Sequence, residues 1–282
     1  MEITASMIKE LRAETHAGIM DCKKALLKSN GDFEGASKFL KEMGLAAVAK
    51  RVDRVTDNGR VAILVQGNKA AMVEVSCETD FVAENTEFKK LCDNICKKAI
   101  DENYTKVEEP LVEMVNALIA TINENMTIKR LIVIDIPSDC YVSTYIHGKG
   151  SVGVITVFKA DKTEAFENSD FQNFAFQCSM QVCAQEPMYL DKTDVEKKYE
   201  QDQLEIFTKQ VEKLDKPEKV KKGIVSGKLS KHYKDICLNQ QEFVFDNPDN
   251  LSTEKLLAKI NKELGAKIKI TSYYRFKAGS EA

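Results

Sequence analysis

The sequence is poor in histidine. His16, His147 and His232 are the only three in 282 residues, so a histidine metal centre or a Ser-His-Asp triad has little material to draw on. None of the eight cysteines forms a Cys-x-x-Cys pair. Cys92 and Cys96 share a helical face, Cys178 and Cys183 lie in a second helical run, and neither group has His or Cys neighbours at zinc-finger spacing. They read as buried free thiols of a reducing compartment. No apolar run approaches the roughly 20 residues that a membrane helix needs, Leu45 to Ala49 and Val61 to Val65 being typical of the longest. A surplus of positive charge is also missing: 41 Lys and Arg face 44 Asp and Glu, a net charge of -3, so the bulk attraction behind non-specific nucleic-acid binding is absent. A local basic patch stays open. No Gly-x-x-x-x-Gly-Lys-Ser/Thr loop occurs, so the chain carries no phosphate cradle of its own. The N-terminus, with Glu2, Lys9, Glu10, Arg12 and Glu14 at helical spacing, is neither a signal peptide nor an Arg-rich transit sequence. The mature chain is expected to begin at Met1 and to be cytoplasmic.

What is present is the balance of an ordinary folded chain, with 43% apolar and 30% charged residues, 13 Gly and 5 Pro, and a length that suits about two domains with room for a small third. Residues 1–52 predict a three-helix bundle. Ile3, Met7, Ile8 and Leu11 recur at helical spacing, Thr15 to Gly18 breaks the run, and Ile19, Cys22, Leu26 and Leu27 form a second face. Asn30-Gly31-Asp32 marks a turn, after which Phe33, Ala36, Phe39, Leu40 and Met43 resume the period. So small a bundle suits docking better than catalysis. The polar stretch Arg51 to Asn58 reads as a linker.

Two following segments resemble each other. Gly59 to Val65 and Ala70 to Val75 read as strands leading into Thr79-Asp80-Phe81 and a helix from Glu87 to Ile100; Gly150 to Val157 reads as a strand leading into Ser169-Asp170-Phe171 and a helix from Phe174 to Gln185. The offsets of 91 and 90 residues suggest a duplicated α+β unit, each copy a half-buried antiparallel sheet with helices on one face. The expected divisions are a core part over 53–140 and a second core part that opens over 141–190. Between 191 and 237, Leu204, Phe207, Val211 and Leu214 step by three, four and three before Lys216-Pro217, and Val225, Leu229, His232 and Ile236 step by four, three and four after it. This predicts a protruding helical hairpin with a charged outer surface. Residues 238–282 return through Phe243, Val244 and Phe245 to a helix from Glu254 to Leu264 and a strand from Lys267 to Phe276 that completes the second sheet.

Gly148-Lys149-Gly150-Ser151-Val152-Gly153 matches the three-glycine dinucleotide pattern, yet that pattern needs a helix N-terminus after it. Here both flanks are strands, and the glycines belong to a hairpin turn. Thr79-Asp80-Phe81-Val82 admits two readings from spacing alone: Glu78, Thr79 and Asp80 can cap the coming helix and Phe81 can enter the core, or the group can be functional. Ile19 and Met20, at a helix start after a loop, can be bundle core or interface anchors. Lys219, Lys221, Lys222, Lys228, Lys231 and Lys234 on the hairpin could meet RNA, but acids are interleaved and aromatics are few, so a solvated face is the better reading.

Several motifs in the same order resemble the elongation factor Ts family, the guanine-nucleotide exchange factors for elongation factor Tu. They are Leu11-Arg12 with Thr15, Ala17-Gly18 and Met20 to Leu26; Cys77 to Ala83; Tyr145-Ile146-His147-Gly148; Gly227-Lys228-Leu229; and Gln241 with Phe243-Val244. The resemblance implies an N-terminal bundle of ubiquitin-associated (UBA-like) type and a coiled-coil hairpin. It implies elongation factor Tu, GDP-bound and nucleotide-free, as partner, with Ile19, Met20, Lys23 and Gln181 in contact with it. Thr79, Asp80, Phe81 and Val82 would displace the partner's magnesium. It further implies no bond-making chemistry, no cofactor, metal or nucleotide bound by this chain, and no membrane or specific nucleic acid as partner. A homodimer through the partner or the hairpin is left open. The sequence departs from the family at His16, usually Gly; at Gln181, usually His, which puts that contact in doubt because an amide cannot become cationic; and at Glu242, usually Pro. It also ends soon after Tyr274-Arg275-Phe276, so no contact from the C-terminal extension of some relatives is assumed. A non-catalytic adaptor or chaperone of a translational GTPase is the competing function.

Overall fold

A computed structural model describes residues 3–15 and 17–279; His16 lies outside them. The chain is α+β and divides into two compact units, one of Met1–Asp135, Ile146–Gly153 and Phe276–Ala282, the other of Ile136–Tyr145 and Val154–Arg275.

The first unit opens with three helices, α1 (Ala5–Thr15), α2 (Ile19–Lys28) and α3 (Phe33–Ala49). Leu11, Cys22, Ala25, Leu26 and Ala36 form their common core. Asn30 and Gly31 both take the left-handed conformation in the turn between α2 and α3, which is why that turn needs residues tolerant of positive φ. Strands β1 (Asn58–Gln66) and β2 (Lys69–Cys77) form a hairpin. The short helix α4 (Asp80–Ala83) leads into α5 (Thr86–Asp101), and α6 (Glu109–Ile122) and β3 (Met126–Asp135) follow, filling a stretch to which the sequence pattern assigned no element. The sheet is antiparallel in the order β1-β2-β3. Leu111, Val115 and Ile119 of α6 and Phe88, Leu91, Cys92 and Ile95 of α5 pack on one face of it.

The expectation of a half-buried first sheet is corrected. Every residue of β2 from Ala70 to Cys77 is buried, Glu74 included. The second face is covered by the unit's two other segments. A methyl group on Gly153 would overlap Val61, and the Gly279 N–H donates to Glu74 at 3.2 Å, while Glu74 is neutralised by Arg130. A carboxylate on a two-sided strand is tolerable only when so paired. The linker stops one residue short of its expected end, because Asn58 already belongs to β1, and it is tied down: Arg51 donates to the Asn123 carbonyl at 3.1 Å and to its side-chain oxygen at 3.0 Å.

Strands β4 (Cys140–His147), β5 (Val152–Ala160) and β6 (Ile268–Lys277) form a second three-stranded sheet in that order, with β6 completing it as expected. The glycine-rich Gly148–Gly150 turn joins β4 to β5 with Lys149 left-handed, so the dinucleotide pattern is a hairpin turn. Topology also corrects the repeat. The centre of the second sheet is β5, so its counterpart is β2; the 91-residue offset had matched it to the edge strand β1. In the second unit, Phe158 packs edge-on against Phe171 and Phe174 of α7 (Ser169–Gln185), and Phe174 stacks on Phe243. Helices α8 (Lys197–Glu212) and α9 (Glu218–Ile236) pair as the hairpin, in which His232 stacks on Tyr199 and meets Phe207 edge-on. Leu214, expected in the seam, lies beyond the end of α8 and is exposed. Helix α10 (Thr253–Leu264) precedes β6.

Candidate functional site

The β2–β3 ladder ends at the pair Cys77 and Met126. Beyond it, side chains continue what the backbone began. The Asn125 backbone N–H donates to Glu78 Oε1 at 2.6 Å, and the Thr79 backbone N–H donates to Glu124 Oε2 at 3.1 Å. Each of the two carboxylates thus accepts from the backbone of the residue that follows the other, a clasp across the end of the sheet. The Asn125 N–H, and after it the Arg54 guanidinium at 3.2 Å, hold the Glu78 carboxyl below the usual carboxylate range against its partial burial. Asn58 donates to the Glu78 carbonyl at 2.9 Å, and Asn125 Nδ2 donates to the Arg54 carbonyl at 2.8 Å, so the linker is tied into the same knot.

Thr79 carries the clasp into α4. Its hydroxyl donates to Glu124 Oε1 at 2.9 Å and accepts the Val82 N–H at 3.3 Å, which makes Thr79 the helix cap. The Cys77 thiol donates to the Thr79 carbonyl at 3.2 Å; burial, aided by the Glu124 charge, pushes it up to about 12, so it is a protonated donor and not a nucleophile. Val82 and Ala83 enter the core of the sheet and α5, whereas Asp80 is exposed and Phe81 is 84% exposed. Asn85 then caps α5, accepting from Glu87 N at 2.7 Å. Of the structural reading, the cap holds through Thr79, while Phe81 does not enter the core. The arrangement offers an exposed aromatic ring on an anchored turn beside an exposed carboxylate, with no paired base and nucleophile. Among the described residues no group of three or more His, Cys, Asp and Glu could hold a metal.

The second unit contains the same dipeptide in another setting. Asn168 caps α7 by accepting from Asp170 N at 2.8 Å and Phe171 N at 3.2 Å. Phe171 is therefore the third residue after its cap and is fully buried, ringed by Tyr141, Phe158 and Phe166. Phe81 is the second residue after its cap, and the buried third place belongs to Val82.

Ile19 is exposed and Met20 is 73% exposed at the start of α2, as is Lys23 one turn on, so these side chains do not form the bundle core. Gln181 lies away from the surface. It is fully buried in α7, its Nε2 donating to Thr253 Oγ1 at 3.2 Å and the Glu242 carbonyl at 3.3 Å, and its Oε1 accepting from Val244 N at 3.1 Å. A neutral amide fits there because it donates and accepts at once. Two hairpin lysines are engaged internally: Lys221 pairs with Glu218 at 3.2 Å and Lys228 donates to Gln210 at 2.7 Å. Sequence reasoning missed Arg54, Glu124 and Asn125; the Asn123-Glu124-Asn125 turn before an alternating stretch was the available signal.

The family model described as Elongation factor TS matches residues 78–280, a span that opens on the first residue of the clasp. The chain belongs to the elongation factor Ts family. Similar elongation factor Ts proteins include that of Treponema denticola, 45% identical over 279 residues and 99% of each chain. That of Borrelia garinii is 40% identical over 280 residues, covering 98% of this chain and 99% of its own. That of Clostridium acetobutylicum is 39% identical over 290 residues, covering 98% and 92%. These elongation factor Ts chains align with the N-terminal bundle as well as with the clasp, so the exposed Met20 and Phe81 both fall within the shared length.

Proposed function

We propose that the chain is a guanine-nucleotide exchange factor that binds elongation factor Tu and speeds release of its GDP. A translational GTPase grips GDP through backbone amides and a magnesium ion with a near-octahedral shell, so disturbing the shell loosens both. No covalent bond need change. A factor that prefers the empty GTPase must, by reciprocity, lower its nucleotide affinity by the same ratio. In this reading Ile19, Met20 and Lys23 of the 1–52 bundle dock on the partner, and the Thr79 to Val82 turn acts on its magnesium site: Phe81 wedges apart packed side chains, and Asp80 competes for the groups that support the metal.

The observation that carries the reading is the 84% exposure of Phe81 on a turn anchored on both sides. An aromatic ring presented to solvent on an anchored turn is placed to enter a pocket on a partner, as aromatic anchors do. The test is release of fluorescent GDP from elongation factor Tu with and without the chain, across a range of magnesium concentrations. Acceleration that shrinks as magnesium rises is the expected result. Binding without acceleration overturns the reading and leaves the adaptor.

A further inference from the structure

We propose that Glu124 is a positioning residue for exchange, holding the Phe81 turn at its working angle through Thr79; this rests on the exchange reading above. Glu124 touches neither Asp80 nor Phe81 through any hydrogen bond of the site; its partners are the Thr79 N–H at 3.1 Å and the Thr79 hydroxyl at 2.9 Å. The hydroxyl, its proton committed to Glu124, presents its lone pair to the Val82 N–H at 3.3 Å. One carboxylate thereby fixes three things in series: the strand's exit, the cap's rotamer and the first turn of α4. That helix is only four residues long, too short to hold itself, so its orientation is set by the cap and by the buried Val82 and Ala83. The reciprocal bond from Asn125 to Glu78 keeps Glu124 itself in place, and Asn123, left-handed at the end of α6, turns the chain so that Glu124 follows directly.

The chemistry needs an acceptor at this place. Glu124 Oε2 accepts from both the Thr79 N–H and the Thr79 hydroxyl at 3.1 Å, and Oε1 accepts from the hydroxyl at 2.9 Å. A glutamine oxygen in the Oε2 place can keep both 3.1 Å bonds, whereas Glu124→Ala removes every acceptor and frees the Thr79 hydroxyl from its hold on the Val82 cap.

Two readouts on the full chain test this. The first is the dependence of fluorescent GDP release from elongation factor Tu on factor concentration, which separates the rate at saturation from the concentration at half-saturation. The second is amide hydrogen exchange at Thr79 and Val82 in the free protein. For Glu124→Ala the saturating rate is expected to fall on the order of tenfold, with half-saturation within about twofold of wild type and with protection at both amides lost. Retained protection overturns the proposal, as does lost protection with an unchanged saturating rate. Should the alanine variant unfold, Glu124→Asp, which keeps both acceptors but shortens their reach, is read by the same two criteria. A wild-type chain that binds without accelerating release overturns the exchange reading separately, and amide protection then still decides whether Glu124 holds the turn.

Discussion

Asp80-Phe81 and Asp170-Phe171 are the same dipeptide at the start of a helix, and they meet opposite fates. Phe171 is sealed among aromatic rings; Phe81 stands in solvent. The difference is one residue of register. Thr79 caps α4 immediately before Asp80, whereas Ser169 intervenes between the Asn168 cap and Asp170. Each residue of a helix advances about 100°, so a shift of one place swings the ring from the core face to the water face. Both helices bury their third residue, Val82 in one and Phe171 in the other. A cap is therefore more than a stabilising device: its position selects which side chain is displayed.

The largest effect is expected from cutting the buried member of the pair. Phe171→Ala should lower unfolding stability by about 3–5 kcal/mol in a urea titration, because the cavity cannot collapse within a ring cluster. Phe81→Ala should change stability by less than about 0.5 kcal/mol. If the two variants destabilise equally, the contrast in burial is wrong. Gln181→Leu follows in size, at about 1–3 kcal/mol, since it leaves Thr253, the Glu242 carbonyl and the Val244 N–H without their partner; an unchanged denaturation midpoint would return Gln181 to the surface.

Phe81→Ala should nonetheless slow GDP release at saturating factor by about tenfold, the counterpart in rate of its silence in stability. Met20→Asp should weaken binding to elongation factor Tu without moving the thermal midpoint, whereas unfolding would restore Met20 to the bundle core. Acid titration gives the smallest effect. The Glu78 carboxyl is held below its ordinary 4.5, so the clasp is at full strength above that value and weakens as pH falls through the lowered one. Burial pushes Asp191, at the root of the hairpin, upward, but bonds from Gln240, Thr193 and Asn239 outweigh it and bring the carboxyl down to about 2. Its contribution is complete above its ordinary 3.8 and is lost progressively as pH falls from there through about 2. Thermal midpoints between pH 5 and 2 check both, with Glu78→Gln expected to flatten the upper part of the curve.

The periodic parts of the sequence were legible. Leu11, Cys22 and Leu26 mark the bundle, and Leu204, Phe207 and Val211 mark the hairpin, because a helix in a small module has one partner face and shows it in its spacing. β2 was harder to read, since a strand covered on both sides loses its alternation, and even its one carboxylate, Glu74, is buried against Arg130. The Asp80-Phe81 pair was visible through resemblance, but its exposure was not, and neither was the burial of Gln181.

What the sequence by itself determined was local: where helices start and stop, which turns need Asn or Gly, and the absence of Cys-x-x-Cys pairs and of a phosphate loop. These follow from backbone preferences and residue inventory, which act over a few positions. Only the tertiary structure decided that Phe81 faces water while Phe171 does not, that Glu124 closes on Thr79 from 45 residues away, and that Gln181 is internal. Those outcomes depend on which surfaces meet, and long-range contacts between single carboxylates and single N–H groups leave no period in a sequence to read.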